Sequence, residues 1–466
     1  MLTLRVIANI VKGEISSTLN LDQEINGFSI DTRTLKPGDV FVALQGEIDH
    51  GNRFIDKAIE QGAVAVVTDQ LPESNTIPYI LVDDCLAALV KIAVHQREAF
   101  KGKVCGVTGT VGKTSVKEAF RFLIRQNGLT VHASEKSYNN HIGVPLTLAN
   151  LDLNADIAVL EMGTNHPGEI LELTQLVRPH VAIVTAVGPG HIEFFNSVEA
   201  IAQEKVSIAA TLVEGGVAIL PADSEFLPLM KGVVVQEYDR TVISFGKSEA
   251  ANVRAESVDL ISFDKLHVNA NVMGALISYD LPTSNYAWIN NSLGVLAAVH
   301  AMGLDVIAFS RAFANLPLVE GRGYIHSIQV KGKQITLMDD SYNANPLSMK
   351  AALETLSKYP GRKIAVIGDM RELGDFGERY HTEMGQLCKA VKIDRVLTCG
   401  MLMEYAFNEL ADDQRLGHVE DYTQVLDVLL DQLMSGDVVL LKASNGVKLH
   451  NVVAGLLSAS AKAMNS

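Results

Sequence analysis

Nine residues, Gly106-Val-Thr-Gly-Thr-Val-Gly-Lys-Thr114, constrain this chain more than any other stretch. They begin within the apolar run 104–107 and lead into a helical stripe, Val116, Ala119, Phe120, Leu123 and Ile124, that Gly128 stops. A strand that turns through glycines into a one-sided helix is a building unit of a parallel sheet. The turn's backbone N–H groups and the positive helix end can cradle a polyphosphate, Lys113 can neutralise the outer oxygens, and the Thr114 hydroxyl can meet Mg2+. Gly106 lies six residues before Gly112, one more than in the ordinary phosphate loop, yet Gly112-Lys113-Thr114 is intact. The loop therefore predicts an ATP site over Gly109, Thr110, Val111, Gly112, Lys113, Thr114 and Ser115.

The rest of the chain supplies more units of this kind. At 466 residues it is too long for one core, and about 150 residues per domain suggests two to four. β-branched runs at 104–107, 157–160, 181–187 and 217–220 alternate with helical patterns, and a second series follows at 335–338, 364–367, 396–397 and 438–441. Before residue 100 the pattern is shorter, with runs at 64–67 and 80–82 and a helix over 85–100. The expected fold is α/β in three domains: a small N-terminal α/β domain (1–100), a central parallel-sheet ATPase domain carrying the phosphate loop (101–320), and a C-terminal Rossmann-like domain (321–466). The boundaries fall where glycine and charge interrupt the periodicity, near 101–103 and 321–323.

Charge narrows the choice of partner. With 39 Lys+Arg against 54 Asp+Glu the net charge is −15, which disfavours nucleic acid and anionic membrane surfaces. No apolar run reaches the roughly 18 residues of a membrane span, and residues 1–14 lack the features of a secretory leader, so a cytoplasmic protein is expected. Cys85, Cys105, Cys388 and Cys399 form no C-x-x-C pair, which favours buried, reduced thiols over disulfides or zinc.

Two further candidates belong to the central series. Glu161 and His191 each end a strand pattern, and the C-terminal ends of parallel strands line the ligand crevice, so both side chains can face the Lys113 phosphates as metal ligands. Lys205 follows on a helix and, taken alone, reads as a solvated surface lysine. Arg322, between Gly321 and Gly323, has a surface linker residue as its lesser alternative reading, and Asp339-Asp340 likewise a plain cap before the helix that Pro346 starts.

Together these pieces resemble the Mur ligase family, ATP-dependent amide-forming enzymes whose loop, G-x-x-G-[TS]-x-G-K-T, has the spacing seen here. The resemblance also rests on Asp31-Thr-Arg33, Pro37-Gly-Asp-Val-Phe41, Asn139-Asn-His-Ile-Gly-Val-Pro145, Glu161-Met-Gly-Thr-Asn-His-Pro-Gly-Glu169, Asp339-Asp-Ser-Tyr-Asn-Ala-Asn-Pro346 and Ile367-Gly-Asp-Met-Arg-Glu-Leu-Gly374. These stretches look most like the branch that joins D-alanyl-D-alanine to UDP-N-acetylmuramoyl-tripeptide, giving the pentapeptide precursor of peptidoglycan. The Asp-Asn-Pro-Arg signature of the diaminopimelate-adding branch is absent.

The resemblance implies roles. Thr114, Glu161, His191 and a carbamylated Lys205 would hold Mg2+, Asn291 would contact adenine, Arg322 would reach the γ-phosphate, and Asp340 would contact the nucleotide. Lys113, His191, Lys205, Arg322 and Asp340 would then be the catalytic set. Ser29, Asp31 and Arg33 would bind the uridine nucleotide, Asn139 and Asn140 the muramoyl part, and Asn343 and Asn345 substrate as well. The expected partners are these small molecules, and the expected state is a monomer. Val111, Ala287-Trp288 and Leu441-Lys-Ala-Ser-Asn-Gly446 depart from the family pattern, which keeps open a sister ligase with another acceptor or a nucleotide-binding protein without catalysis.

Overall fold

The computed structural model describes residues 2–46, 49–74, 76–135, 137–262 and 264–464. Among the described residues, three separate sheets carry the chain. The first runs edge to edge as Glu14–Ile15, Tyr79–Leu81, Ala65–Thr68, Asp39–Val42 and Gly27–Ser29, parallel except for its first pair. Helix Cys85–Ala99 packs on it, started by Asp84, whose carboxylate accepts from Ala87 N–H. Leu4, Ile7, Val40, Val67, Ile80, Leu89 and Ile92 close that core.

The central sheet has nine strands in the order Ala275–Leu281, Lys265–Val272, Val253–Ser262, Thr241–Gly246, Val217–Pro221, Val181–Val184, Lys103–Thr108, Ile157–Glu161 and Val131–Ala133. Pairing is parallel from Val253–Ser262 to Val131–Ala133 and antiparallel in the remaining hairpins. Cys105, Val107, Val159 and Ile183 point to one face, against helix Lys113–Gln126, and Val104, Leu160, Ala182 and Val184 to the other. Burial on both faces is why these strands read as continuous apolar runs. Phe120 sits fully buried at the helix–sheet contact, where truncation to Ala costs about 3–5 kcal/mol.

The third sheet orders Tyr324–Val330, Lys333–Asp339, Val438–Lys442, Lys363–Gly368, Arg395–Cys399 and Arg415–Val419, with one antiparallel pair at its start. One apolar core crosses from the central domain into this one, since Ile192, Phe195 and Ile201 bury together with Met338, Leu353, Met370 and Leu373.

All four cysteines are free and buried. Burial raises every thiol, Cys85, Cys388 and Cys399 to about 12 and Cys105 still further. No helix among the described residues is long and apolar enough to cross a membrane.

Two sequence expectations change. The run 181–187 is a strand only over Val181–Val184; Thr185 N–H still donates to Thr108 O, while its side chain turns to the phosphate loop at Val111 O. The antiparallel extension Val253–Leu281 does not read as a continuation of the parallel series, since Val253–Ser262 is mostly exposed or half-buried beyond its first residue and burial in Lys265–Val272 alternates residue by residue.

Candidate active site

The phosphate loop is built around two glycines whose backbone conformations L residues rarely adopt. Gly109 sits at φ 143°, where a Cβ would meet Thr185 Oγ1 at 2.0 Å, and Gly112 at φ 87°, where a Cβ would meet Asn291 Oδ1 at 2.6 Å. Loop and neighbouring strand are stitched together: Thr110 N–H donates to Ala186 O (2.8 Å), Thr110 Oγ1 to Gly188 O (3.1 Å), and Thr185 Oγ1 to Thr108 O (3.1 Å). Lys113 Nζ folds back onto Gly109 O at 2.7 Å, at the N-terminus of helix Lys113–Gln126. Desolvation lowers the Lys113 pKa, Glu161 opposes that, and Arg322 adds to it. Val111 accepts from Thr185 Oγ1 through its carbonyl, a contact that does not depend on its side chain.

Behind Lys113, the helix directs Thr114 Oγ1 to Glu161 Oε2 at 2.9 Å, and Asn139 Nδ2 donates to Glu161 Oε1 at 2.7 Å. Glu161 is 1% exposed, so both carboxylate oxygens are committed to neighbours inside the protein. Ser137 Oγ stands 3.3 Å from Thr114 Oγ1 and completes a set of hard oxygen donors. Among the described residues no group of three or more His, Cys, Asp or Glu is gathered, so a metal at this point would need donors besides those residue types, such as the Thr114 hydroxyl and phosphate oxygens. His191 also lines the cleft, half-buried, with φ 60°.

Lys205 lies outside the cleft lining, on helix Val198–Val206, and is 2% exposed. Burial and then the Lys113 charge pull its pKa down to about 7, with Glu204 opposing. Glu204 cannot pair fully with it, because its two oxygens accept from Gly168 N–H (2.7 Å) and Ile170 N–H (2.8 Å) and so cap helix Glu169–Val177. The expectation of a solvated lysine, which the sequence alone favoured, is overturned by this burial.

The C-terminal domain supplies the opposite wall. Gly321 and Gly323, at φ 73° and 82°, turn the linker so that Arg322 faces the cleft with its guanidinium over the Tyr342 ring, 4.2 Å from the centroid. Asp339 holds this turn by accepting from Gly321 N–H (3.1 Å) and Ser341 Oγ (2.6 Å). Asp340 instead faces inward and accepts from Lys442 Nζ at 2.7 Å, while Lys442 also donates to Asn343 O at 3.0 Å. Burial raises the Asp340 pKa, and Lys442 opposes the rise. The helix starting at Pro346 is capped by Asn345, in a capping box with Ser348, and not by Asp339 or Asp340.

Between these walls lies a cavity of about 640 Å3. It brings together Thr110 through Ser115, Asn139, Glu161, His191, Asn291, Arg322, Asp340, Asn343 and Asn345, and its lining also includes Lys442 and Tyr342. Ser29, Asp31, Arg33 and Asn140 lie outside it. Arg33 forks onto Asp31 at 2.7 Å with most of its side chain exposed, and Ser29 Oγ donates to Asp31 O. Asn140 Oδ1 accepts from Gly143 N–H at 2.9 Å and starts the short helix Gly143–Ala149. Sequence reasoning missed Ser137, Thr185, Tyr342 and Lys442. Of these, Lys442 carried a usable signal, a lysine ending the apolar strand Val438–Lys442 as Glu161 ends its own.

A phosphate loop in one domain, faced across a cleft by charged groups from a second, with a third α/β domain on the first, defines a three-domain P-loop nucleotide-binding protein. Family models match the chain in three stretches: the Mur ligase family catalytic domain at residues 24–100, the Mur ligase middle domain at 107–299, and the Mur ligase glutamate ligase domain at 326–445. The chain belongs to the Mur ligase family. It is 32% identical to the UDP-N-acetylmuramoyl-tripeptide–D-alanyl-D-alanine ligase of Rickettsia prowazekii, over 94% of this chain and 96% of that one. Its fold is similar to crystal structure I of MurF from Acinetobacter baumannii (TM-score 0.88, 25% identity, 98% of each chain). It is also similar to the MurF ligase from Thermotoga maritima in complex with ADP (TM-score 0.82, 29% identity, 95% of this chain and 99% of that one).

Proposed function

We propose that this chain is an ATP-dependent carboxylate–amine ligase that joins D-alanyl-D-alanine to UDP-N-acetylmuramoyl-tripeptide. The observation that carries the reading is the single cleft in which the phosphate loop of one domain faces Arg322 and the Asp340–Lys442 pair of another. A carboxylate does not condense with an amine at useful rates, since oxide would have to leave. Phosphorylation by ATP turns that oxygen into a phosphate leaving group. The amine of the dipeptide then attacks the acyl phosphate, and the tetrahedral intermediate expels phosphate.

Phosphoryl transfer is mainly a matter of position and charge. The loop amides and Lys113 cradle the phosphates, Arg322 neutralises the transferred group from the hinge, and Asn291, whose amide abuts Gly112, flanks the nucleotide. Asp340 contacts the nucleotide from the C-terminal side. Walls from two domains keep water from the acyl phosphate. The paired oxygen donors of Thr114 and Glu161 fit a hard divalent cation, so Mg2+ would be held by Thr114, Glu161, His191 and a carbamylated Lys205. When bound, it supplies neutralisation of phosphate charge. The amine of Lys205, neutral in part near pH 7, suits carbamate formation. Ser29, Asp31 and Arg33 bind the uridine nucleotide, Asn139 and Asn140 the muramoyl part, and Asn343 and Asn345 further substrate groups.

The reading places the enzyme in the cytoplasm, acting as a monomer on small molecules. Purified protein should release phosphate from ATP only when both the UDP-muramoyl-tripeptide and D-alanyl-D-alanine are present. Equal turnover with a single free amino acid would overturn the dipeptide assignment, and tight ATP binding with no product under any acceptor would overturn catalysis.

A further inference from the structure

The joint between the central and C-terminal domains is made from two turns that L residues rarely adopt. On the central side, His191 (φ 60°) and Asn196 (φ 62°) bracket the short helix Ile192–Phe195. On the other side, Glu372 (φ 61°) stands two residues before Gly374 (φ 49°). Left-handed backbone at non-glycine residues persists only where the surroundings over-determine it, and it concentrates where function needs a fixed geometry.

The two turns interlock. Glu193 N–H donates to Glu372 O across the domain boundary at 3.3 Å. A Cβ on Gly374 would stand 3.0 Å from Glu193 Cγ, so the approach is close. Ile192 and Phe195 are buried together with Met370 and Leu373 on either side of the joint. The outcome is that Glu372 Oε2 stands 2.6 Å from Nδ1 of His191. That Nδ1 atom is buried, and although the Glu372 oxygen is its near neighbour the two are not aligned as a formed hydrogen bond in this arrangement, so what the structure shows is a carboxylate brought to the ring nitrogen and needing only a small rotation to accept from it.

We propose that Glu372 is a positioning residue for His191: docking of the C-terminal domain brings a carboxylate to Nδ1, holds the ring proton there, and leaves Nε2 as the free lone pair. An imidazole that binds a metal commonly donates its other ring N–H to a carboxylate, which fixes tautomer and ring orientation. Here that carboxylate comes from a different domain than Thr114 and Glu161. The metal-side face of the phosphate loop is then complete only when the two domains are docked, which couples closure to cation affinity. This inference rests on the reading of His191 as a metal-facing residue.

The test uses the full chain with 15N-labelled histidines, His191→Ala serving to assign the His191 resonances. In the wild type at pH 8 with Mg2+ and a non-hydrolysable ATP analogue, long-range 1H–15N correlation should show His191 protonated on Nδ1 alone. A proton on Nε2, or on both nitrogens, overturns the proposal without any variant having to fold. Mn2+ affinity in the presence of the analogue, read by electron paramagnetic resonance, should fall about 10- to 100-fold in Glu372→Gln and recover in part in Glu372→Asp. If His191→Ala weakens Mn2+ binding and Glu372→Gln does not, the positioning role fails while the metal reading stands. If His191→Ala leaves Mn2+ binding unchanged, both are overturned.

Discussion

Two lysines of the ligase, Lys205 in the central domain and Lys442 in the C-terminal domain, are equally hidden and chemically opposite. Lys205 and Lys442 are each 2% exposed. Lys442 donates to Asp340 at 2.7 Å and to Asn343 O, so its burial is answered by a carboxylate and a carbonyl. Lys205 has Lys113 as a neighbouring cation, and the adjacent carboxylate, Glu204, is spent on a helix N-terminus. A buried ion without a partner loses its proton rather than bear the full desolvation cost, and Lys205 is accordingly pulled down to about 7. The contrast teaches that burial alone does not decide what a lysine does. The partner decides whether it is a fixed charge or an amine available for reaction.

The largest effect that could break this contrast is on turnover. Lys205→Ala should lower the rate of phosphate release by about 100-fold or more, and added short carboxylates should restore part of it by standing in for a carbamate. Full activity without rescue would return Lys205 to the structural class. Next comes stability. Lys442→Met leaves the half-buried Asp340 carboxylate without its cation, so urea unfolding should show a loss of about 3 kcal/mol, whereas Lys205→Met removes an amine that no ion pair holds among the described residues and should be neutral within about 1 kcal/mol or stabilising. Equal losses would erase the distinction. A third measurement sharpens it: combining Lys442→Met with Asp340→Asn should bring stability back to within about 1–2 kcal/mol of the parent, because the two costs are one cost counted from either partner.

The smallest effect is a pH dependence. Only the neutral amine of Lys205 captures carbon dioxide, so a 13C-bicarbonate-derived carbamate signal should grow as pH rises through about 7 and shrink about tenfold per unit below it. Its folded pKa lies below the ordinary 10.5, so the unfolded chain holds more protons between these values, and stability should rise with pH across that window. A carbamate signal unchanged from pH 6 to 8 would refute the shift.

Much of this was legible from the residues alone, and the part that was not has a physical reason. The strands at Lys103–Thr108, Ile157–Glu161 and Val438–Lys442 announce themselves because both faces are buried and the sequence is continuously apolar. The strands Lys265–Val272 and Ala275–Leu281 bury one face, so polar residues such as His267, Asn269 and Asn271 alternate with their buried apolar ones, while the exposed Leu276 adds an apolar residue that is not core. In the cleft, the loop glycines, Lys113 and Thr114 are fixed by local sequence order. Ser137, Thr185 and Lys442 act through residues 23, 74 and 102 positions away, and no local pattern encodes such a meeting. Lys205 is the sharpest case, since helix position and charge both argue for solvent while the packing around Ile201, Ala202 and Val206 buries it.

The distribution of the four free thiols has a practical consequence. Cys85 belongs to the core of the N-terminal domain, Cys105 to that of the central domain, and Cys388 and Cys399 to the two cores flanking the third sheet. Each is sealed from solvent and held in the unreactive protonated form, so an alkylating reagent can reach it only when its own core opens. Following which cysteine is modified first, peptide by peptide, turns the native chain into its own recorder of the order in which its domains come apart, with no label to introduce.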